Sequence, residues 1–175
     1  MSFKTDYEYG KLQEQIILNE IIENHIFFKS LKHCTDIYSP FDFYDDEYEI
    51  ELKSRNCWID KYPTTLIPCD KVERKTEKDI ILMFAFNHPL YWYTNTKDIY
   101  YIFYTKKKFE KFTKKLFVRN KRNDFNDKKK YYFEIPIEEL RRIEDFCPFE
   151  MPIKQHQNID FSQSSIIDHN DVPFL

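Results

Sequence analysis

A single glycine, Gly10, stands among the 175 residues of this chain. Phosphate-cradling loops and nucleophile elbows are built on glycine, so the sequence excludes a Walker A motif, a dinucleotide fingerprint and a G-x-S-x-G turn. Cysteine is also sparse. Cys34, Cys57, Cys69 and Cys147 form no C-x-x-C motif, and the five histidines do not join them at zinc spacing. That usage predicts reduced, mostly buried thiols in a reducing compartment. Long hydrophobic runs are missing too. The longest, Ile80 to Phe86, is far too short to span a bilayer, and the N-terminus has no signal-peptide pattern. The expectation is a soluble intracellular protein of the cytoplasm or nucleus, neither secreted nor membrane-bound.

Aromatic residues are abundant, with 17 Phe and 13 Tyr, so the core is built largely from rings. The length fits one domain, 1–153, followed by a polar tail, 154–175, rich in Asn, Gln, Ser and Asp. The formal net charge is −3, but the charge is uneven: Lys97 to Lys130 holds 13 basic and 4 acidic residues. Such a segment can bind a phosphate backbone or simply form a solvated face. The abundance of Lys, Asn, Ile, Tyr and Phe suggests an AT-rich coding sequence, as in many large DNA viruses.

Apolar periodicity predicts a first helix over Tyr7–Lys32, through Leu12, Ile16, Ile17, Ile21, Ile26 and Phe27. Two strands follow, about Ile37–Tyr44 and Glu47–Arg55, joined at Asp45-Asp46 as an antiparallel hairpin. Tyr62–Pro68 reads as a short extended segment, and Asp70 as the cap of a polar helix reaching Lys78. Ile80–Asn87 reads as a buried central strand. Leu90–Thr94, Ile99–Tyr104 and Tyr131–Ile135 read as further strands. Lys106–Phe117 reads as an amphipathic basic helix, Arg119–Lys130 as a polar loop, and Pro136–Phe146 as a helix begun by proline. Leu90-Tyr91-Trp92-Tyr93 can stack on bases, though a sheet surface or dimer contact explains it more simply.

The chemistry is concentrated in the hairpin. Side chains alternate along a strand, so Ile50 and Leu52 point one way while Glu49, Glu51, Lys53 and Arg55 point the other. Asp42 sits between Phe41 and Phe43 on the preceding strand. Closing the hairpin brings Asp42 and Glu51 together. Two carboxylates, with the Leu52 main-chain carbonyl as a third oxygen, suit a hard cation. Lys53, on the same face, can orient or help deprotonate a water, or neutralise developing charge. The pattern [D/E]-x-K also occurs at Glu73–Lys75 and Asp127–Lys129, but only Glu51–Lys53 lies in an alternating strand. The plainer alternative is an exposed strand whose outer face is charged.

These residues resemble the PD-(D/E)XK nuclease superfamily over roughly Gly10 to Phe86, with an acid-bearing aromatic strand, Ile50-Glu51-Leu52-Lys53-Ser54-Arg55, and Tyr62-Pro63-Thr64-Thr65-Leu66-Ile67. The likeness is to small nuclease-like proteins of large DNA viruses and mobile elements. It implies an α/β restriction-endonuclease-like fold with an αβββαβ core, a mixed sheet flanked by helices, and extra C-terminal strands and helix. It implies a Mg²⁺- or Mn²⁺-dependent endonuclease acting on DNA. Asp42 and Glu51 would be metal-binding acids, Glu14 a supporting acid on the first helix, and Lys53 the catalytic lysine. Lys71, Arg55 and Thr64 would contact nucleic acid, and Lys106, Lys107, Lys108, Lys111, Lys114 and Lys115 would hold its backbone. A homodimer would serve double-strand cutting. Pro40 departs from the pattern, standing one residue away from Asp42. Two rival readings are a nuclease-fold module that binds without cutting, and a structural or interaction protein of a virus using the acidic stretch Asp160–Asp171.

Overall fold

The computed structural model describes residues 3–36, 38–87, 97–117 and 129–148, with side chains from Gly10 onward. The expected strand at Leu90–Thr94, most of the expected polar loop and the tail 154–175 lie outside the described residues. The described chain is an α/β structure in three layers.

Helix α1 (Phe3–Asn24) leads into β1 (Lys32–His33), β2 (Phe43–Tyr44) and β3 (Tyr48–Ser54). Next come β4 (Thr64–Pro68), α2 (Cys69–Val72), β5 (Asp79–Asn87) and β6 (Lys97–Phe103). Then follow α3 (Lys106–Phe109), β7 (Thr113–Phe117), β8 (Lys130–Pro136) and β9 (Arg141–Arg142). Six strands form a mixed sheet in the order β1-β2-β3-β5-β6-β9, in which only β3 and β5 run parallel. Parallel neighbours require a crossover, and residues between β3 and β5 supply it, carrying β4 and α2. A second, antiparallel sheet has the order β4-β8-β7.

β5 lies at the centre, apolar on both faces, which is why its sequence does not alternate. Ile81, Met83 and Ala85 pack towards α1 with Ile17, Leu18, Ile21, Ile50 and Leu52. Ile80, Leu82, Phe84 and Phe86 pack towards the second sheet with Ile67, Phe109, Phe133 and Ile135. The six-stranded sheet is thus the middle layer. No described helix is long and apolar enough to cross a membrane.

Several sequence-based expectations are corrected. α1 ends at Asn24, whose side chain donates to the Glu20 carbonyl at 2.9 Å, and a short 3₁₀ turn (Ile26–Phe28) then drives Phe28 into the core. Ile26 and Phe27 are consequently exposed, and Leu12 and Ile16 lie on the outer side of α1. The strand expected from Ile37 shrinks to Phe43–Tyr44. α2 stops after one turn because Cys69 and Val72 are drawn into the core, and Asp70 does not cap it: Pro68 holds the cap position. The expected basic helix is a single turn capped by the Thr105 hydroxyl, then β7. β8 supplies the hydrogen-bonding edge that favours extended chain there. The expected C-terminal helix is two 3₁₀ turns around β9. Leu140 belongs to one core cluster while Ile143 and Phe146 belong to the other. One straight helix cannot serve both faces of a sheet, so the chain wraps its edge. All four cysteines are free, but only Cys69 is fully buried.

Candidate active site

The site is built on β3. Alternation sends Tyr48, Ile50 and Leu52 towards α1, and Glu49, Glu51 and Lys53 to the other side. That other side is covered. The β4–α2 segment runs back along β3 and meets its charged side chains in turn. Arg55 Nε donates to Thr65 Oγ1 at 3.2 Å and its Nη2 donates to the Leu66 carbonyl. Lys71 Nζ donates to Glu51 Oε2 at 2.9 Å. Arg74 Nη1 forms an ion pair with Glu49 Oε2 at 2.6 Å. Glu51 is only 1% exposed, which sets aside the plainer reading of β3 as an exposed strand with a charged outer face.

A buried carboxylate requires charged partners. Glu51 has two: Lys53 donates to Oε1 and Lys71 to Oε2. Lys71 also donates to the Pro40 carbonyl at 3.0 Å, fixing the loop before Asp42. Lys71, expected from the resemblance to contact nucleic acid, thus touches both Glu51 and the loop before Asp42. Its partner lies twenty positions earlier, which no local pattern reveals.

Asp42 owes its orientation to a β-bulge. Its backbone N–H donates to the Ile50 carbonyl at 2.9 Å, although Ile50 already pairs with Phe43. Two residues thus face one, and the extra residue turns its side chain. Asp42 Oδ2 accepts the Leu52 N–H at 2.8 Å, taking the place of a backbone carbonyl. The Leu52 carbonyl projects from the same edge of β3 as its N–H. Burial and then the charge of Glu51 push the Asp42 carboxyl up to about 6, with Glu14 adding to the rise, while Lys53 and the Leu52 N–H oppose it.

Glu14, on α1, is held by Lys11 Nζ at 2.7 Å and His33 Nε2 at 3.1 Å. His33 lies outside the hairpin in sequence, and the pairing of β1 with β2 brings it to Glu14. His25 packs edge-on against Phe28, and His88 lies outside the described residues.

The structure brings Asp42, Glu51, Lys53, Leu52 and Lys71 together, with Glu14 close enough to act on Asp42 electrostatically. The Arg55 guanidinium bridges β3 to β4, and Arg55 also lines a surface groove. Thr64 lines the same groove. The lysines of the basic segment largely face acids of the protein. Lys106 is paired with Glu110, Lys108 with Glu139, Lys114 with Glu73 and Lys115 with Glu134. Lys107 and Lys111 are exposed. Lys114 and Lys130 reach Glu73 and Asp70, the acids on either side of Lys71, so this segment is anchored next to the site.

Among the described residues, no three His, Cys, Asp or Glu side chains form a ready metal cluster. The donors present are two carboxylates and a backbone carbonyl, all oxygen. That set fits a hard divalent cation that retains water ligands. Burial, and after it the charge of Glu51, disfavour an ionised Asp42 in the metal-free site, and a bound cation would offset both.

Compared with protein-family models, curated proteins and solved structures, the chain has no match.

Proposed function

We propose that this protein is a divalent-metal-dependent nuclease that hydrolyses phosphodiester bonds in DNA. One observation carries the reading. Asp42 and Glu51 are adjacent carboxylates at the bulged junction of β2 and β3, and Lys53 shares the carboxylate of Glu51. The element order α1-β1-β2-β3-α2-β5, with β4 inserted, also follows the αβββαβ order of the nuclease family the sequence resembles.

Asp42, Glu51 and the Leu52 carbonyl would hold Mg²⁺ or Mn²⁺. When bound, the ion supplies Lewis-acid stabilisation of charge on the scissile phosphate and lowers the pKa of water. Asp42 must be ionised to bind it. Lys53, partly exposed, is placed to leave Glu51 for a water or a phosphate oxygen, where it orients the attack or offsets developing charge. Lys71 retains the charge balance of Glu51 while Lys53 is engaged. Glu14 and His33 close the α1 side of the site. Concerted cutting of both strands of a duplex would use two such sites, which a homodimer would supply.

The test is cleavage of supercoiled plasmid and of single-stranded, branched and RNA substrates with Mg²⁺, Mn²⁺ or EDTA, beside Asp42→Asn and Lys53→Ala. Metal-dependent nicking that falls by about 100-fold or more in both variants supports the reading. No cleavage of any substrate, with DNA binding unchanged in the variants, sinks it and favours a binding module of the same fold.

A further inference from the structure

Beyond Lys53, the charged face of β3 leads into a groove of about 400 Å³. Its lining includes Trp58, Tyr62 and Phe117, which are 46%, 57% and 36% exposed. Large rings left in water beside one another mark a surface that binds something. Trp58 and Tyr62 flank the 3₁₀ turn Ile59–Lys61, and Phe117 arrives from the end of β7. Phe86 forms part of the floor, and Arg55 stands at the end nearest Lys53. Arg55 lies two positions after Lys53, about 7 Å along extended chain.

We infer that this groove binds unpaired nucleobases, so that the enzyme's substrate is single-stranded nucleic acid or a strand opened from its duplex. The inference rests on the nuclease reading for the nature of the strand. The rings offer flat π-faces, which stack on any base but reach it only when it has left a duplex stack. Cations lie close by: Lys61 Nζ is 5.5 Å from the Tyr62 ring centre, and Arg55 lines the groove, its guanidinium over the buried Phe84 ring. Glu134, the acid of the groove, is balanced by Lys115 at 2.7 Å and can accept hydrogen bonds from base amino groups. Duplex held by its backbone alone needs many lysines directed at phosphates. Here Lys108, Lys114, Lys115 and Lys130 are each engaged by an acid of the protein, and the net charge is −3. Stacking supplies the affinity that electrostatics does not.

The experiment measures anisotropy of a labelled single strand and of an abasic strand of equal length, in EDTA, with the full chain. The abasic strand carries the same phosphates without rings to stack. The wild type is expected to bind the base-bearing strand more tightly. Trp58→Ala and Tyr62→Ala should each weaken that binding by roughly 5- to 100-fold and leave the abasic strand unaffected. Trp58→Phe should retain most of the affinity, separating lost stacking from lost folding. Equal binding of the two strands by the wild type overturns the inference. So does a parallel loss on both strands in the alanine variants, or a Trp58→Ala protein whose main change is dissociation of a dimer. Metal-dependent cleavage without base-dependent binding removes the groove and leaves the nuclease. Base-dependent binding without cleavage removes the nuclease and leaves the groove.

Discussion

Lys71 Nζ lies 2.9 Å from Glu51 Oε2, joining the one-turn helix α2 to the middle of β3. Glu51 is buried, and each of its carboxylate oxygens takes a lysine. Removing one lysine leaves a buried charge half-compensated, whereas removing the whole arrangement leaves none to compensate.

Lys71→Met is therefore expected to lower stability by about 2 kcal/mol, below the range for a fully buried pair because Lys71 is partly exposed. Adding Glu51→Gln should recover part of that loss. Urea unfolding of the two single variants and the double variant provides the test, and strictly additive losses would disconnect the two residues.

Asp42 links the site to pH. In metal-free protein its carboxyl is pushed up to about 6, above the ordinary value near 3.9. The folded state then binds the proton more tightly than the unfolded state. The resulting stabilisation is fully present below about pH 4 and is lost as pH rises through about 6. Asp42→Asn, which still offers an oxygen to the Leu52 N–H, should melt higher than wild type at pH 8 in EDTA, by at most about 3 kcal/mol. At pH 4 the two should coincide. Equal melting at both pH values would remove the electrostatic strain assigned to Asp42.

Metal should reverse that strain. Mg²⁺ or Mn²⁺ at 100 times its dissociation constant is expected to stabilise the wild type by about 2.7 kcal/mol. EDTA should abolish the gain, and Asp42→Asn and Glu51→Gln should lack it. Thermal melts across a metal titration measure this directly, and a wild type indifferent to both ions would leave the carboxylates without a cation.

Phe109 anchors α3 beneath the second sheet, with ring centres 4.8 Å from Tyr104, 5.0 Å from Phe112 and 5.3 Å from Phe133. It is fully buried, so Phe109→Ala should cost about 3–5 kcal/mol, and Phe109→Leu clearly less. Denaturant midpoints decide the matter. A small loss on truncation to Ala would mean that the second sheet packs loosely.

The features legible in sequence are those set by neighbours along the chain. The alternation of Ile50, Glu51, Leu52 and Lys53 places them on opposite faces, and the unbroken run Ile80–Phe86 marks the central strand. Lys106–Phe117 misleads because Phe109 and Phe112 repeat at helical spacing, while the pairing of Thr113–Phe117 depends on β8 further along. Leu140, Ile143 and Phe146 mislead likewise, since their spacing does not tell that they enter different cores. Within the site, Asp42, Glu51 and Lys53 stand out by residue type. Arg74 and His33 do not, and the pairing of Lys71 with Glu51 is equally hidden, because tertiary contact alone makes these pairs. The burial of Glu51 escapes sequence for the same reason: its cover is a distant segment.

The returning β4–α2 segment has a consequence for assembly. Arg55, Glu51 and Glu49 meet Leu66, Lys71 and Arg74 in succession. Sliding the segment one way sets Lys71 against Lys53, like against like. Sliding it the other way carries Lys71 past Glu51 and strips the buried acid of one of its cations. Misaligned crossovers are penalised whichever way they slip, so the same charges proposed for chemistry also serve as a key that admits one alignment of the chain.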